Sequence, residues 1–429
     1  MVKLKYLRHP LQTANAAKDM LAARYSMRRF AAHGERRFRG DARYDLQNVT
    51  DGFVSRIDES SNDTELLERI CTAYIRAVKQ QQFAPKTYNA TEWWQQVRQR
   101  SLGPVTQALL TRDIGALRRM YPNFFRDSCS SGLLGAPYGM SKAYFGGKIK
   151  DVHRRFYLSH VLYRFDYWMA QTGGRFALRD LAGPGIGNPF GVLIEGTHIS
   201  VGSEYAHYCA DRVDSLLDSE IATVAEIGGG FGGMAYYLLR DRARVTYLNF
   251  DIPESIALAS YYLLKAFPQL TFLLYGEEKL TKEAIAQADV VLMPVFELAT
   301  MPHGNVDVTF SSHAMSDISS DALVEYLNNI DRMTRDCFLY IGNSRASKSI
   351  ADLVGRSHDS FELAETRLSG WHSHKISGAG VGGAAGLAAS TMLEQCYRRT
   401  VTSQNKPATL SGIDLAGRDH EVSRISPTS

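Results

Sequence analysis

The stretch "VAEIGGGFGG", residues 224–233, places five glycines in six consecutive positions behind a short apolar run that contains one acid, Glu226. One or two glycines suffice for a turn, so a backbone stripped this bare serves a close approach by something else. An apolar strand, a glycine turn and a helix ("MAYYLLR"), in that order, make the crossover at which doubly wound α/β folds bind nucleotides. The segments that follow keep the alternation. "VTYLNFD", "ADVVLMPV", "VDVTFSS" and "CFLYIGN" read as strands, and "PESIALASYYLLKAF" and "DALVEYLNNIDRM" read as helices. That pattern predicts a parallel sheet covered on both faces.

Upstream the period changes. "TELLERICTAYIRAVKQ" repeats Leu67, Ile70, Tyr74, Ile75 and Val78 at helical spacing, and "ATEWWQQVRQRSL" follows with Thr91 placed as an N-cap. "NFFRDSCSSGLLGAPYGMSKAYFGG" fits neither period and reads as irregular, ordered backbone. The Gly/Pro-rich run 181–199 reads as a loop and a domain boundary, followed by a helix with Tyr205, Cys209 and Val213 on one face. The expected organisation is a basic arm (1–60), a mainly helical substrate or lid region (61–190), a nucleotide-binding α/β domain (191–400) and a polar tail (401–429).

The net charge of +4 is too mild to argue for nucleic acid, yet residues 1–40 hold ten Lys or Arg against Asp19 and Glu35. This basic arm reads as a solvated extension or as a contact for anionic lipid or a phosphorylated substrate. The five cysteines, at 71, 129, 209, 337 and 396, are scattered and never form a C-x-x-C pair, which fits a reducing compartment. The first residues lack the apolar core of a signal peptide, and no run approaches the roughly eighteen apolar residues of a membrane span. A cytoplasmic protein without a membrane span is expected, with homo-oligomerisation left open.

The glycines satisfy two spacings. Gly228, Gly230 and Gly233 fit G-x-G-x-x-G of dinucleotide sites, while Glu226, Gly228, Gly230 and Gly232 fit E-x-G-x-G-x-G. Electrostatics favours the second. A pyrophosphate at the helix N-terminus is repelled by an acid at the end of the strand, whereas the sulfonium and ammonium of S-adenosylmethionine are attracted to it. Asp251, ending "VTYLNFD", stands where an adenosine ribose presents its hydroxyls, and it is also placed to cap the helix after Pro253.

"EIGGGFGGMAYYLL" followed by "YLNFDIPESIALASYYL" resembles the class I S-adenosylmethionine-dependent methyltransferases, specifically a bacterial group of sugar O-methyltransferases. "NFFRDSCSSGLLG", "GIGNPFGVLIEGTHIS", "VVLMPV" and "VDVTFSSHAMSDIS" are similar to segments flanking that group's core, so the likeness covers residues 90–375 or so. The resemblance implies a Rossmann-like class I methyltransferase sheet of seven strands behind a helical N-terminal domain. It also implies S-adenosylmethionine held by Glu226, Gly228, Gly230, Gly232, Asp251 and Pro294, and a sugar hydroxyl as acceptor. "SSHAMSDIS" departs from the group's usual residues after the fourth strand, which puts the role of His313 in question.

Methyl transfer to a hydroxyl calls for alignment of the acceptor and removal of its proton. His313, after the strand "VDVTF", is the first candidate for the base, with Asp317 four residues on as its orienter, a sugar ligand or a helix cap. His372 and His374 alternate on an expected late strand beside Trp371, which stacks on a sugar or belongs to the core. His198 and His207 are expected to pack. Tyr121, Phe124, Phe125, Arg126, Tyr138 and Tyr144 supply aromatic and polar side chains for a glycan or small-molecule pocket, with Phe124 and Phe125 weighted towards burial. Asp317, Glu297 and Asp289 have no spacing that compels a metal, and none is expected. A NAD(P)-dependent oxidoreductase and a non-catalytic binding protein with the same fold are the alternatives.

Overall fold

The computed structural model describes residues 10–58, 62–134, 149–357, 360–372 and 391–400. Tyr138, Tyr144, His374, the Gly/Ala-rich segment 378–390 and the tail from 401 lie outside the described residues. The described residues up to Arg399 form one compact unit.

Helices come first: α1 (Pro10–Arg37), α2 (Leu46–Gly52), α3 (Thr64–Gln81), α4 (Glu92–Val97), α5 (Gly103–Thr111), α6 (Ile114–Met120) and α7 (Asp151–Gln171). The α3 stripe buries Leu67, Ile70 and Tyr74 as the spacing requires, and Thr91 caps α4 by accepting the Trp94 N–H. The run 181–199 is only partly a loop. Its end forms a hairpin of β1 (Gly191–Ile194) and β2 (Thr197–Ser200), turned by Glu195 (φ 51°) and Gly196 (φ 74°). Left-handed residues at both turn positions match the twist of the flanking strands. The sequence hides this hairpin because Glu-Gly lacks the usual Asn-Gly or Asp-Gly signal.

The α/β part continues with α8 (Ser203–Asp214), β3 (Ala222–Ile227), α9 (Gly233–Asp241), β4 (Val245–Asp251), α10 (Pro253–Ala266), β5 (Phe272–Leu274), α11 (Lys282–Ala286), β6 (Val290–Pro294) and β7 (Val306–Ser312). It ends with α12 (Ser320–Met333), β8 (Thr334–Asn343), α13 (Ser344–Ser357), β9 (Phe361–Ser369) and β10 (Met392–Arg399). Among the described residues these strands form one eight-stranded sheet in the order β5-β6-β4-β3-β7-β8-β10-β9, one strand more than the expected seven. The six from β5 to β8 are parallel, and β10 and β9 run antiparallel to their neighbours. This is a Rossmann-like α/β architecture.

Successive side chains on a strand point to opposite faces, and the two faces carry separate cores. Val224, Tyr247, Val308 and Leu339 join Phe124, Leu162 and Trp168 of the helical segment on one side. Ala225, Leu248, Phe338 and Tyr340 pack with Leu327 and Ile350 on the other. Among the described residues no helix is long and apolar enough to cross a membrane.

Candidate functional site

The chain leaves β3 towards β4 and β6 on one side and returns to β7 on the other, so the order reverses between β3 and β7. Such a switch point opens a crevice beyond the carboxyl ends of the strands. Ile227, Asp251, Pro294 and Ser312 end β3, β4, β6 and β7 there.

The glycine loop spans this edge. Gly228 (φ 81°), Gly230 (φ 59°) and Gly232 (φ 92°) are left-handed, whereas Gly233 opens α9 without a positive φ. The backbone therefore requires glycine at the alternate positions of the E-x-G-x-G-x-G spacing. A Cβ on Gly228 would stand 2.1 Å from the Ala314 Cβ, in the turn after β7, and one on Gly229 would stand 2.7 Å from the Asn249 amide. Leu133 brings its carbonyl oxygen to 3.4 Å from the corresponding point on Gly230, so the irregular segment before 135 lies against the loop.

Four of the six loop amides are already spent within the protein. Gly228 N–H donates to Phe250 O (2.8 Å), Gly229 N–H to Asn249 Oδ1 (3.2 Å), Gly230 N–H to Asp251 Oδ2 (2.9 Å) and Gly232 N–H to Gly229 O (3.0 Å). Asp251 Oδ1 accepts the Ile252 N–H (2.7 Å), so its carboxylate ties the loop to the entry of α10, whose N-cap is Ile252. Burial lifts the Asp251 pKa to about 6 against the pull of these backbone donors.

Glu226 is 4% exposed and accepts the Tyr247 hydroxyl on Oε2 at 2.5 Å. Burial raises its pKa to about 7, with Tyr247 opposing and the Asp251 charge adding to the rise. Tyr247, Asn249 and Asp251 alternate along β4 and share one face, and Asn249 Nδ2 is buried beside the loop without an acceptor among the described residues. Pro294 is buried and pairs in register with Asp251.

His313 follows β7 with φ 64°, a conformation rare outside glycine, and its N–H donates to Ile341 O at 2.8 Å. Tyr205, from α8, lies 2.7 Å from Ser312 Oγ and 3.5 Å from His313 Nε2 through its hydroxyl. Burial pushes the His313 pKa down to about 4, so the imidazole is neutral at physiological pH. Ser311 Oγ donates to Ile227 O (3.0 Å), joining the ends of β3 and β7. Asp317 is exposed, and α12 is capped by Ser319, whose Oγ accepts the Ala322 N–H at 3.2 Å. Tyr205 is a polar neighbour of the His313 ring.

The expected late strand carrying His372 is corrected: β9 stops at Ser369, and Gly370–His372 is a single 3-10 turn. Trp371, placed in that turn, is 1% exposed and enclosed by Tyr167, Tyr205 and Tyr208, with the Arg164 guanidinium 5.1 Å from its ring centre. These neighbours occupy the surfaces a sugar would need, and the indole instead backs Tyr205. Phe124 and Phe125 are buried and stacked at 4.6 Å, and both pack on Phe231 of the glycine loop. Arg126 donates to Asn188 O (2.9 Å), tying that segment to the turn before β1. His198 bonds Gly52 O, and His207 accepts from the Trp168 indole, so both pack as expected.

Glu297 accepts from Thr300, and Asp289 accepts the Thr271 N–H. Among the described residues no group of three or more His, Cys, Asp or Glu is arranged to hold a metal ion. Tyr205, Ser312, Tyr247 and Asn249 stand at the site without being singled out for it by the sequence. The last two were signalled by their alternation with Asp251, but nothing local marks the pairing of Tyr205 with Ser312.

No protein-family model and no curated protein matches this chain. Among solved structures, it is similar to magnesium protoporphyrin IX methyltransferase (ChlM) from Synechocystis PCC 6803, at 12% identity over 59% of this chain and 99% of that chain, with a TM-score of 0.30. That enzyme is seen with bound SAM and, in a second structure, with bound SAH. The chain is also similar to a TehB-like SAM-dependent methyltransferase from Corynebacterium glutamicum (14%, 46% and 88%, TM-score 0.29). The tRNA methyltransferase TrmK of B. subtilis matches at 8% identity over 45% of this chain and 64% of that one, with a TM-score of 0.28. At such identities and scores, function has to be read from the chain's own side chains.

Proposed function

We propose that this chain is an S-adenosylmethionine-dependent methyltransferase acting on a hydroxyl, with a sugar as the acceptor class. The observation that carries the reading is the chemistry of the glycine loop. Most of its amides are spent on protein acceptors, and two buried carboxyls, Glu226 and Asp251, stand beside it with pKa values lifted towards neutrality. A diphosphate meets few free donors and two acids there. A cation gains from both acids, because a nearby positive charge favours the ionised carboxylate. The left-handed glycines and the close approach of Ala314 fit a ligand lying along bare backbone.

Bound there, S-adenosylmethionine supplies an electrophilic methyl group on a positively charged sulfur. The residues have separate tasks. Glu226 faces the cationic part, Asp251 keeps lone pairs for ribose hydroxyls while holding Gly230 in place, and Pro294 walls the edge of the sheet beside it. His313 is uncharged and stands at the switch point, where it takes the proton of the acceptor hydroxyl as the oxygen becomes a nucleophile. Tyr205 restrains the ring at Nε2. A sugar acceptor is supported by the family resemblance.

Calorimetric titration tests the donor: S-adenosylmethionine should bind and reduced nicotinamide cofactor should not, with Glu226→Ala and Asp251→Ala each weakening binding at least tenfold. Binding of the nicotinamide cofactor, or full affinity in both variants, overturns the reading. Transfer of label from methyl-labelled donor to nucleotide sugars or glycans tests the acceptor, and His313→Ala should abolish transfer while donor binding persists.

A further inference from the structure

The charge of this molecule is concentrated at one end of the chain. Residues 1–40 carry an excess of eight positive charges, and since the whole chain is +4, the remaining 389 residues are net negative by four. Beyond that segment, arginines are typically matched: Arg43, Arg69, Arg112, Arg164, Arg212 and Arg399 each bind a carboxylate. On α1, Lys18, Arg24, Arg28 and Arg36 are exposed and pair with no carboxylate among the described residues.

The helix is also sided. Met27 and Ala31 pack on Phe156 of α7, and Gly34 brings the backbone against Ser159, where a Cβ would stand 2.0 Å from Oγ. At the helical pitch, Lys18, Leu21, Tyr25, Arg28, Arg29 and Arg36 fall within about 60° of one line on the opposite side. Leu21 and Tyr25 are 65% and 64% exposed there. The strip from Lys18 to Arg36 is about 27 Å long and straight.

We infer that this face of α1 docks the protein on an anionic phospholipid surface. Its Lys18, Arg28 and Arg36 pair with no carboxylate among the described residues, and a flat array of lipid phosphates and carboxylates complements a straight ridge of cations. Leu21 and Tyr25 leave water in the same movement, as apolar and amphipathic side chains do at a bilayer interface. A nucleic acid is a poorer fit. Arg29 lies over the Tyr25 ring at 5.7 Å, which covers a face that a base would stack on, and α7 backs the helix where a groove would have to close around it. The docking is independent of the methyl-donor site, because none of these residues belongs to it.

Sedimentation of the full chain with vesicles tests the inference. Phosphatidylcholine vesicles containing a third of phosphatidylserine should bind the protein, pure phosphatidylcholine vesicles should not, and raising the salt concentration should release it. Replacing Arg28, Arg29 and Arg36 together by Gln should weaken binding about a hundredfold with an unchanged melting temperature, and Leu21→Ala with Tyr25→Ala should weaken it less. Equal binding to both vesicles, or undiminished binding by the triple variant, overturns the inference. So does a short RNA that displaces the protein from the anionic vesicles.

Discussion

The Glu226 carboxyl changes its charge within the pH range in which cells live, and two opposite consequences follow. Burial raises its pKa from 4.5 in the unfolded chain to about 7 in the folded one. A group that holds its proton more tightly when folded stabilises fully below the unfolded value, and that stability drains away as pH rises through the folded value. Glu226→Gln keeps an acceptor for Tyr247 and removes the charge. Urea unfolding should therefore find the variant about 3 kcal/mol more stable than the parent at pH 8 and indistinguishable from it at pH 4. Affinity for a cationic donor runs the other way. The site must lose its proton to attract the sulfonium, so S-adenosylmethionine should bind up to about tenfold more tightly per pH unit until about pH 7 and level off above it. S-adenosylhomocysteine, which lacks the sulfonium charge and keeps only the ammonium of the amino acid, should show a shallower slope, and a diphosphate ligand the opposite one. Calorimetry across this range distinguishes the three. Gly228 carries a second prediction at this scale. Gly202 has nearly the same φ (82° against 81°) but open space around its missing Cβ, whereas Gly228 faces Ala314 at 2.1 Å. Gly202→Ala should cost about 1 kcal/mol of backbone strain alone. Gly228→Ala should cost about 3 kcal/mol, because overpacking adds to that strain, and it should weaken donor binding. Equal destabilisation of the two would remove the close approach from the account.

Among the elements, β10 shows how a strand with a polar sequence becomes a buried one. Glu394 is 2% exposed, yet it accepts from the Tyr208 hydroxyl (2.6 Å) and from Arg212 Nε (2.6 Å), both on α8. The pair ties the last strand to a helix that precedes the first parallel one. Removing the carboxylate leaves Arg212 with the outer Glu365 and Ser215 among the described residues, so Glu394→Ala should lower stability by about 3 kcal/mol and Glu394→Gln by less, read from urea midpoints. The same contact explains what the sequence conceals. "MLEQCYRR" shows neither an apolar run nor a clean alternation, because its buried Glu394 is satisfied by a residue 186 positions away. β9 is hidden for the converse reason, since most of its residues are exposed on an edge and carry no hydrophobic signal. By contrast β3, β4, β6 and β7 are central and parallel, and their near-continuous apolar runs are legible without a partner in view. The site divides along the same line. Glu226, the left-handed glycines and Asp251 lie within one crossover and can be read locally, whereas Tyr205 meets Ser312 across 107 positions and no spacing predicts it.

For the whole molecule, the question is whether the helical segment is a lid that opens by itself or part of the body that holds the site. Trp168 on α7 is fully buried, its indole N–H donates to His207 Nδ1 at 3.3 Å, and it belongs to the same hydrophobic cluster as Val224, Tyr247 and Val308 of the sheet. Phe124 and Phe125 reach that cluster while packing on Phe231 of the glycine loop. A core shared in this way couples the two parts, because opening either one exposes apolar surface belonging to both. Trp168→Ala should cost about 3–5 kcal/mol. The loss should appear as the same shift in two probes, the far-ultraviolet dichroism of helices and sheet together and the fluorescence of Trp371, which sits behind the Tyr205 and His313 pair and is read with Trp93 and Trp94 replaced by Phe. Donor affinity should also fall in the variant at temperatures below its transition, since Trp168 belongs to the cluster on which Phe124, Phe125 and Phe231 pack. An independent lid would behave differently: the dichroism would show an early partial transition, the Trp371 signal would hold, and donor binding would survive the first step.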